Sequence, residues 1–412
     1  LVVMTTIIFG LMPAWSAAAR GVAPGRQQGE RITIERRRIT EAFVVAQVAL
    51  AMLLLVASGL MIRSFLRLQN VDPGFVAQDV VAVPLTLPEH DYSPERVQAF
   101  FVDLQSRLEA IPRTLSVGAT TTNPFRQWGF SNNVTPEDRV GEVPPTGLLQ
   151  AGWRAVTPGF FETLRIPILD GRAFTASDRE DQRVVIVSDS LAQALWPGGD
   201  AVARRLFWGG VEGRPWTVIV VAGDVRDLRV EAPPEPTLYL PHASVPMSSM
   251  TVLLRSRVGP ASVAPPIRDV ISRLDPNLPV PEVRALVGNR DDAVHAPRVR
   301  ALLLTVVGSV ALLLAAVGLY GLVAFGAAQR VREVGIRVAV GARPADIVHL
   351  FPSRGLVLAG TGLAGGLACA WTVARVLESL LFETPVRDPL LFLMAAVVLS
   401  AVTAVASSLP AR

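Results

Sequence analysis

The sequence predicts a membrane α-helical protein with a large α+β domain inserted between its membrane spans. Three observations predict it. Four stretches of about 20 mostly apolar residues have the length a helix needs to cross a bilayer's hydrocarbon core. Arginines gather at the ends of those stretches rather than on one soluble face. The middle of the 412-residue chain reads as ordinary soluble protein, although 50% of all residues are hydrophobic.

The elements follow in order. Residues 1–12 are apolar but too short to span alone, and no basic run precedes them as in a secretory signal. They are read as a partial N-terminal membrane helix whose start lies upstream. Residues 13–41 form a basic linker. The first full span is 42–62, uncharged, with Gln47 its one strong polar group. Further spans are predicted at 301–325, at the glycine-rich 355–376, and at 389–409.

Arginine placement orients these spans, because short cytoplasmic loops carry the excess of positive charge. Arg20, Arg26, Arg31, Arg36, Arg37 and Arg38 mark one cytoplasmic stretch; Arg330, Arg332, Arg337, Arg343 and Arg354 mark another, 326–354. The loop 377–388 holds Glu378, Glu383 and Asp388 against Arg387, which suits the opposite side. The four spans alternate consistently, and 63–300 falls outside the cytoplasm. Long domains translocate largely regardless of their own charge.

Within that insert, Asp79–Leu87 alternates like a strand. Pro94–Ile111 spaces Val97, Phe100, Phe101, Leu104, Leu108 and Ile111 near the helical period. Strands are expected at Leu115–Thr122, Arg183–Val187, Trp216–Ala222, Thr237–Leu240 and Met250–Arg255. Helices are expected at Asp189–Leu195, capped by Ser188, and at Ser262–Leu274.

Composition excludes several kinds of chemistry. The chain has no Lys, so all 39 basic residues are Arg and the formal net charge is +4. A P-loop needs a Lys to reach the phosphates, so ATP hydrolysis is expected of a separate polypeptide and this chain is read as a non-enzyme. The one cysteine, Cys369, allows no internal disulfide and no thiolate metal site, and is read as a small buried hydrophobe. The histidines (His90, His242, His295, His349) show no ligand spacing, no Gly-x-Ser-x-Gly is present, and no cofactor is expected. Asp224 and Asp227 beside Arg226 are read as a solvated turn; Trp153, Trp196 and Trp208 are read as core anchors. Basic residues interleaved with aromatics on one face would mark a nucleic-acid partner, and none is expected here.

Longer motifs carry a resemblance. Residues 329–342 read QRVREVGIRVAVGA; 156–174 read VTPGFFETLRIPILDGRAF; 185–198 read VIVSDSLAQALWPG; 220–226 read VVAGDVR; and 63–68 read RSFLRL. Together with the order of one helix, a long insert and three helices, they resemble the MacB/FtsX-like ABC transporter permease family. Gln329 stands where the family pattern has Glu, and Val338 where Arg is common. A short echo between Gly10–Arg20 and Ser407–Arg412, each with Pro-Ala after an apolar helix, resembles the acidobacterial-type subgroup with a duplicated membrane unit. It implies a sequence truncated at both ends.

The resemblance implies a multi-pass protein of the bacterial inner membrane with its large domain in the periplasm. It implies a permease subunit driven by a cytoplasmic ABC ATPase dimer, working as a dimer of membrane units (homo-, hetero- or internally duplicated), with a periplasmic or outer-membrane partner. Arg330, Arg332, Glu333, Gly335, Ile336, Arg337, Gly341 and Ala342 would form the helix that receives the ATPase's motion. Gly362 and Gly366, a small-xxx-small pair, would let membrane helices pack closely. The alternative is a non-transporting membrane protein that senses a ligand or activates an envelope hydrolase.

Overall fold

The computed structural model describes residues 26–126, 129–141, 149–175, 178, 182–226, 232–279, 282–339, 352–377, 381 and 388–408. For 26–37, 293–294, 322–323, 325–339, 352–356, 377 and 407–408 it describes the backbone alone. The predicted partial helix 1–12 lies outside the described residues. The chain divides into a helical unit, drawn from Leu1–Met61, Leu302–Leu381 and Pro385–Arg412, and a sheet unit, Ile62–Ala301.

The chain enters through α1 (Arg26–Gln69), whose residues from Ile62 belong to the sheet unit. There follow β1 (Val80–Thr86), α2 (Pro94–Glu109), β2 (Thr114–Thr120), β3 (Phe130–Pro136) and β4 (Leu149–Val156). Next come α3 (Phe160–Leu164), β5 (Ile168–Gly171), β6 (Val184–Ser188), α4 (Asp189–Leu195), β7 (Arg205–Trp208) and β8 (Trp216–Ala222). The unit closes with β9 (Thr237–Pro241), β10 (Ser249–Ser256), α5 (Pro260–Leu274) and β11 (Arg284–Ala285). The remaining helices are α6 (Leu286–Ala339), α7 (Pro352–Leu377) and α8 (Pro389–Ser408).

Among the described residues, four helices are long and apolar enough to cross a membrane: Arg38–Gln69, His295–Gly321, Val357–Val376 and Pro389–Ala406. Both α1 and α6 run well past their apolar stretches. Hydrophobicity marks only the part that suits lipid, while the flanks are rich in Arg, Glu and Gln, which are good helix formers without an apolar signal. Cys369 is exposed on α7, not buried as expected. A membrane helix is apolar on its outward face too, so apolar neighbours do not mark burial.

Among the described residues eleven strands join in the order β11-β1-β10-β2-β4-β3-β7-β8-β6-β9, with β5 on β8. Because β9 also pairs with β4 in parallel, from Gly152–Thr237 to Val156–Pro241, the six strands β4, β3, β7, β8, β6 and β9 close into a ring. Strand β1 is buried on both faces, which is why its VVAV run is continuously apolar. Val81, Val83 and Leu85 pack with Phe100, Leu104, Ile267 and Ile271 of α2 and α5. Val80 and Ala82 share the opposite core with Phe160, Phe161, Tyr239 and Leu253. A third core joins β6 and β8 to α4 through Val185, Val187, Leu191, Trp196 and Val218.

Local chemistry fixes the helix starts. Ser93 and Ser188 sit in extended backbone, and each hydroxyl accepts from the N–H three residues on, Arg96 and Leu191. Ser188 Oγ also accepts from Thr237 N–H at 2.9 Å, tying α4 to β9. Helix α5 begins at Pro260, with Pro265 and Pro266 inside it rather than ahead of it.

Candidate functional site

In the helical unit α6, α7 and α8 each approach α1 at a glycine, carried by the neighbour in two cases and by α1 itself in the third. A Cβ on Gly362 of α7 would stand 2.7 Å from Val48 Cβ and 3.0 Å from the Val45 carbonyl. One on Gly366 would stand 2.7 Å from Met52 Cβ and 2.8 Å from the Ala49 carbonyl. On α6, Gly318 faces the Gln47 amide and Gly308 faces the Ser58 hydroxyl; on α1 itself, Gly59 faces Leu391 of α8. Ser58 Oγ lies 2.7 Å from the carbonyls of both Leu54 and Leu304, so its proton can bridge α1 to α6. Such close crossings are how helices associate where lipid removes the hydrophobic drive between them. Gln47 Oε1 is buried without a hydrogen-bond donor among the described residues.

The predicted ATPase-facing residues fall at the end of α6. Arg330, Arg332, Glu333, Gly335, Ile336 and Arg337 continue its helical backbone, which runs to Ala339. Gly341 and Ala342 lie outside the described residues.

The sheet unit brings together two motif segments that are distant in sequence. Arg63 and Arg67 of RSFLRL and Arg226 of VVAGDVR line one cavity of about 560 Å³ with Leu66, Asn70, Val71 and Asp72. The walls are pinned by backbone. Arg226 N–H donates to Pro73 O at 2.9 Å. Gly74 sits at φ +79°, and a side chain there would strike the Asp224 carbonyl. Asp224 Oδ1 accepts from Ser190 N–H (2.9 Å) and Oγ–H (2.7 Å), which holds the loop after β8 against α4. Arg290 Nη2 donates to Gln69 O (3.0 Å) and Val71 O (2.8 Å), fixing the turn that follows α1. Sequence reasoning did not single out this cavity; the two motifs were visible, but not that they converge.

Elsewhere the polar groups are structural. Arg255 is buried, and its guanidinium donates to the carbonyls of Thr163, Gln78 and Val76 at 2.6–2.8 Å. Arg172 of the GRAF stretch grips Asp178, whose carboxylate also accepts from Thr175. This grip holds Asp178 below the usual carboxylate range. His242 is buried and accepts from Met247 N–H; burial pushes its pKa down. Trp196 is buried, while Trp153 stacks on Phe130 and meets Trp208 edge-on. Among the described residues no group of three His, Cys, Asp or Glu side chains is placed to hold a metal.

The family model of the MacB-like periplasmic core domain matches residues 44–270, more than half of the chain, and that of the FtsX-like permease C-terminal region matches 305–412. The chain belongs to the MacB/FtsX-like permease family. Among curated members, it is 26% identical over 261 residues to the macrolide export ATP-binding/permease protein MacB of Pasteurella multocida, covering 59% of this chain and 38% of that one. It is 22% identical over 272 residues to the protein of that name from Escherichia coli, covering 63% and 41%. This permease-family chain thus spans about two fifths of the length of the curated relatives it matches. Among solved structures it is similar to the periplasmic region of MacB from Actinobacillus actinomycetemcomitans (14% identity, TM-score 0.37, 55% of this chain and 97% of that one). It is also similar to the extracellular domain of the noncanonic ABC-type transporter YknZ (16%, 0.33, 50% and 99%).

Proposed function

We propose that the chain is the permease part of an ABC-type exporter of the bacterial inner membrane, with its sheet unit in the periplasm. It would carry motion from ATP hydrolysis to that unit instead of enclosing a polar channel. One observation carries this reading: α1 and α6 are unbroken helices that each contribute to both units. Leu68 and Leu286 lie in one core of the sheet unit, while Val48, Val56, Ala315 and Leu319 of the same two helices lie in the core of the helical unit. A helix passes a displacement along its axis because bending it strains many hydrogen bonds at once; α1 contains no proline, while Pro297 removes one such bond from α6 near the boundary of the two units.

Arg330, Arg332, Glu333, Gly335, Ile336 and Arg337, with Gly341 and Ala342, would meet the ATPase at the far end of α6. The named relatives join ATP-binding and permease functions. The 412 residues here hold no Lys and therefore no P-loop, so hydrolysis has to come from outside them. An ATPase dimer would serve two such membrane units, packed through outward apolar positions such as Val306, Val310, Leu313 and Val317 of α6. A periplasmic or outer-membrane partner would receive the exported molecule.

Deleting Gln329–Ala342 tests the reading. Affinity purification of the chain from its own host in mild detergent should bring down an ABC ATPase, and the deletion should lose it. An ATPase retained in full by the deleted chain would refute the coupling role.

A further inference from the structure

We propose that the membrane segment of α6 pivots at Pro297 and is latched to α1 by the Ser58 hydroxyl. The hinge comes from proline chemistry. Pro297 has no N–H to give the Ala293 carbonyl four residues back, and its ring crowds that carbonyl. Sharp bends in helices concentrate at such points. Ahead of Pro297, α6 is fastened within the sheet unit. Leu286 is buried in a core of that unit. Asn289 Nδ2 donates to Asn123 Oδ1 at 2.8 Å, and Arg290 holds the carbonyls of Gln69 and Val71. A tilt of the segment beyond Pro297 leaves all of these contacts in place.

The latch comes from Ser58. It is buried, and its Oγ stands 2.7 Å from Leu304 O on α6 and 2.7 Å from Leu54 O on its own helix. One proton serves two acceptors. Where no water is at hand, a stranded hydroxyl proton is costly. Here it falls back on Leu54 O, so the bridge to α6 opens without stranding it. Gly308 gives the hydroxyl its access, since a Cβ there would stand 3.0 Å from Ser58 Oγ. Farther along, Gln47 Oε1 is buried against Gly318 without a donor, so it adds no bond that a tilt away from α1 has to break. At about 1.5 Å per residue, Leu304 lies about 10 Å beyond Pro297 and Gly318 about 31 Å beyond it. A tilt of about 10°, half the angle of a sharp kink, moves Leu304 by about 2 Å and Gly318 by about 5 Å. The first displacement is enough to break the Ser58–Leu304 bond.

The proposal deepens the permease reading, from which it takes only the drive for the tilt. The full chain is placed in lipid nanodiscs with Cys369→Ala to remove its one native thiol. Spin labels on Leu50→Cys and Val317→Cys, at exposed positions of α1 and α6, report the distance between the two segments. Ser58→Ala should raise the ratio of long to short distances about fivefold, the worth of one hydrogen bond. Gly308→Ala should do the same, and adding it to Ser58→Ala should change little, because both remove one bridge. Pro297→Ala restores the missing helical bond and should collapse the distribution to the short distance, in Ser58→Ala as well. Unchanged distances in Ser58→Ala, or a shift that persists at full size with Pro297→Ala, overturn the proposal. Either result with the ATPase still captured sinks the joint alone. An ATPase retained by the chain without Gln329–Ala342 refutes the coupling reading and leaves these distances as they are.

Discussion

Alanine in place of four glycines of α7 should split by sign. Gly362 and Gly366 face α1; Gly360 and Gly365 face open space, with no atom within 4 Å of the point a Cβ would occupy. Ordinary contact begins at 3.4 Å, so a Cβ at 2.7 Å from Val48 or Met52 must push α1 and α7 apart by 3.4 − 2.7, or 0.7 Å. The obstructing atoms are Cβ and backbone, which cannot swing aside. Overpacking of this kind costs about 1–3 kcal/mol. It is offset by the helix preference of Ala over Gly, about 1 kcal/mol. Gly362→Ala and Gly366→Ala should therefore lose up to about 2 kcal/mol, while Gly360→Ala and Gly365→Ala gain up to about 1 kcal/mol. Thermal unfolding of the full chain in one detergent, all four variants side by side, reads the difference. Four shifts of the same sign would refute the claim that the 362/366 face is the packed one.

Three further predictions concern the sheet unit. Arg255→Met should destabilise it by about 3 kcal/mol, because three buried carbonyls lose their donor; Arg255→Lys should recover only part, having no fork to reach all three, and denaturant unfolding checks both. Asp178 has a folded pKa held low by Arg172, so its contribution is present above the ordinary carboxylate range and lost as pH falls through and below it. The unfolding midpoint should drop below about pH 4, and Asp178→Asn should flatten that part of the profile. His242 is likewise depressed, by burial; its neutral ring must gain a proton in the unfolded chain first, so stability is lost as pH falls below about 6.5. His242→Gln, which keeps an acceptor for Met247 N–H, should remove the slope just below that value.

The sequence revealed those elements whose signal is local. Trp216–Ala222 and the Ser188-capped Asp189–Leu195 stand where strand alternation and a cap predict them. Strands β3, β4, β5, β7 and the two-residue β11 escaped. FSNNVTP and LQAGWRAV are polar or glycine-containing stretches held by partners far along the chain, Phe130 opposite Trp153 and Val134 opposite Trp208. Helix α3 is five residues between left-handed Gly159 and Arg165, too short for any periodicity. Gly362 and Gly366 were legible as a spacing, but that they meet Val48 and Met52 was not. The arginine cavity was least legible of all, since its members sit on two segments joined only by folding.

The ring of six strands has a consequence for recognition. A partner that docks by strand addition needs an unsatisfied row of backbone donors and acceptors along a sheet border. Here the borders among the described residues include two short pieces, β11 of two residues and β5 of four. Stubs of that length give little template for an incoming chain. The run of β1 that β11 leaves uncovered, Val83–Thr86, is interrupted by Pro84, which has no N–H to offer, so a partner that docks away from that run reads side chains and loops, surface chemistry that can change without disturbing the scaffold.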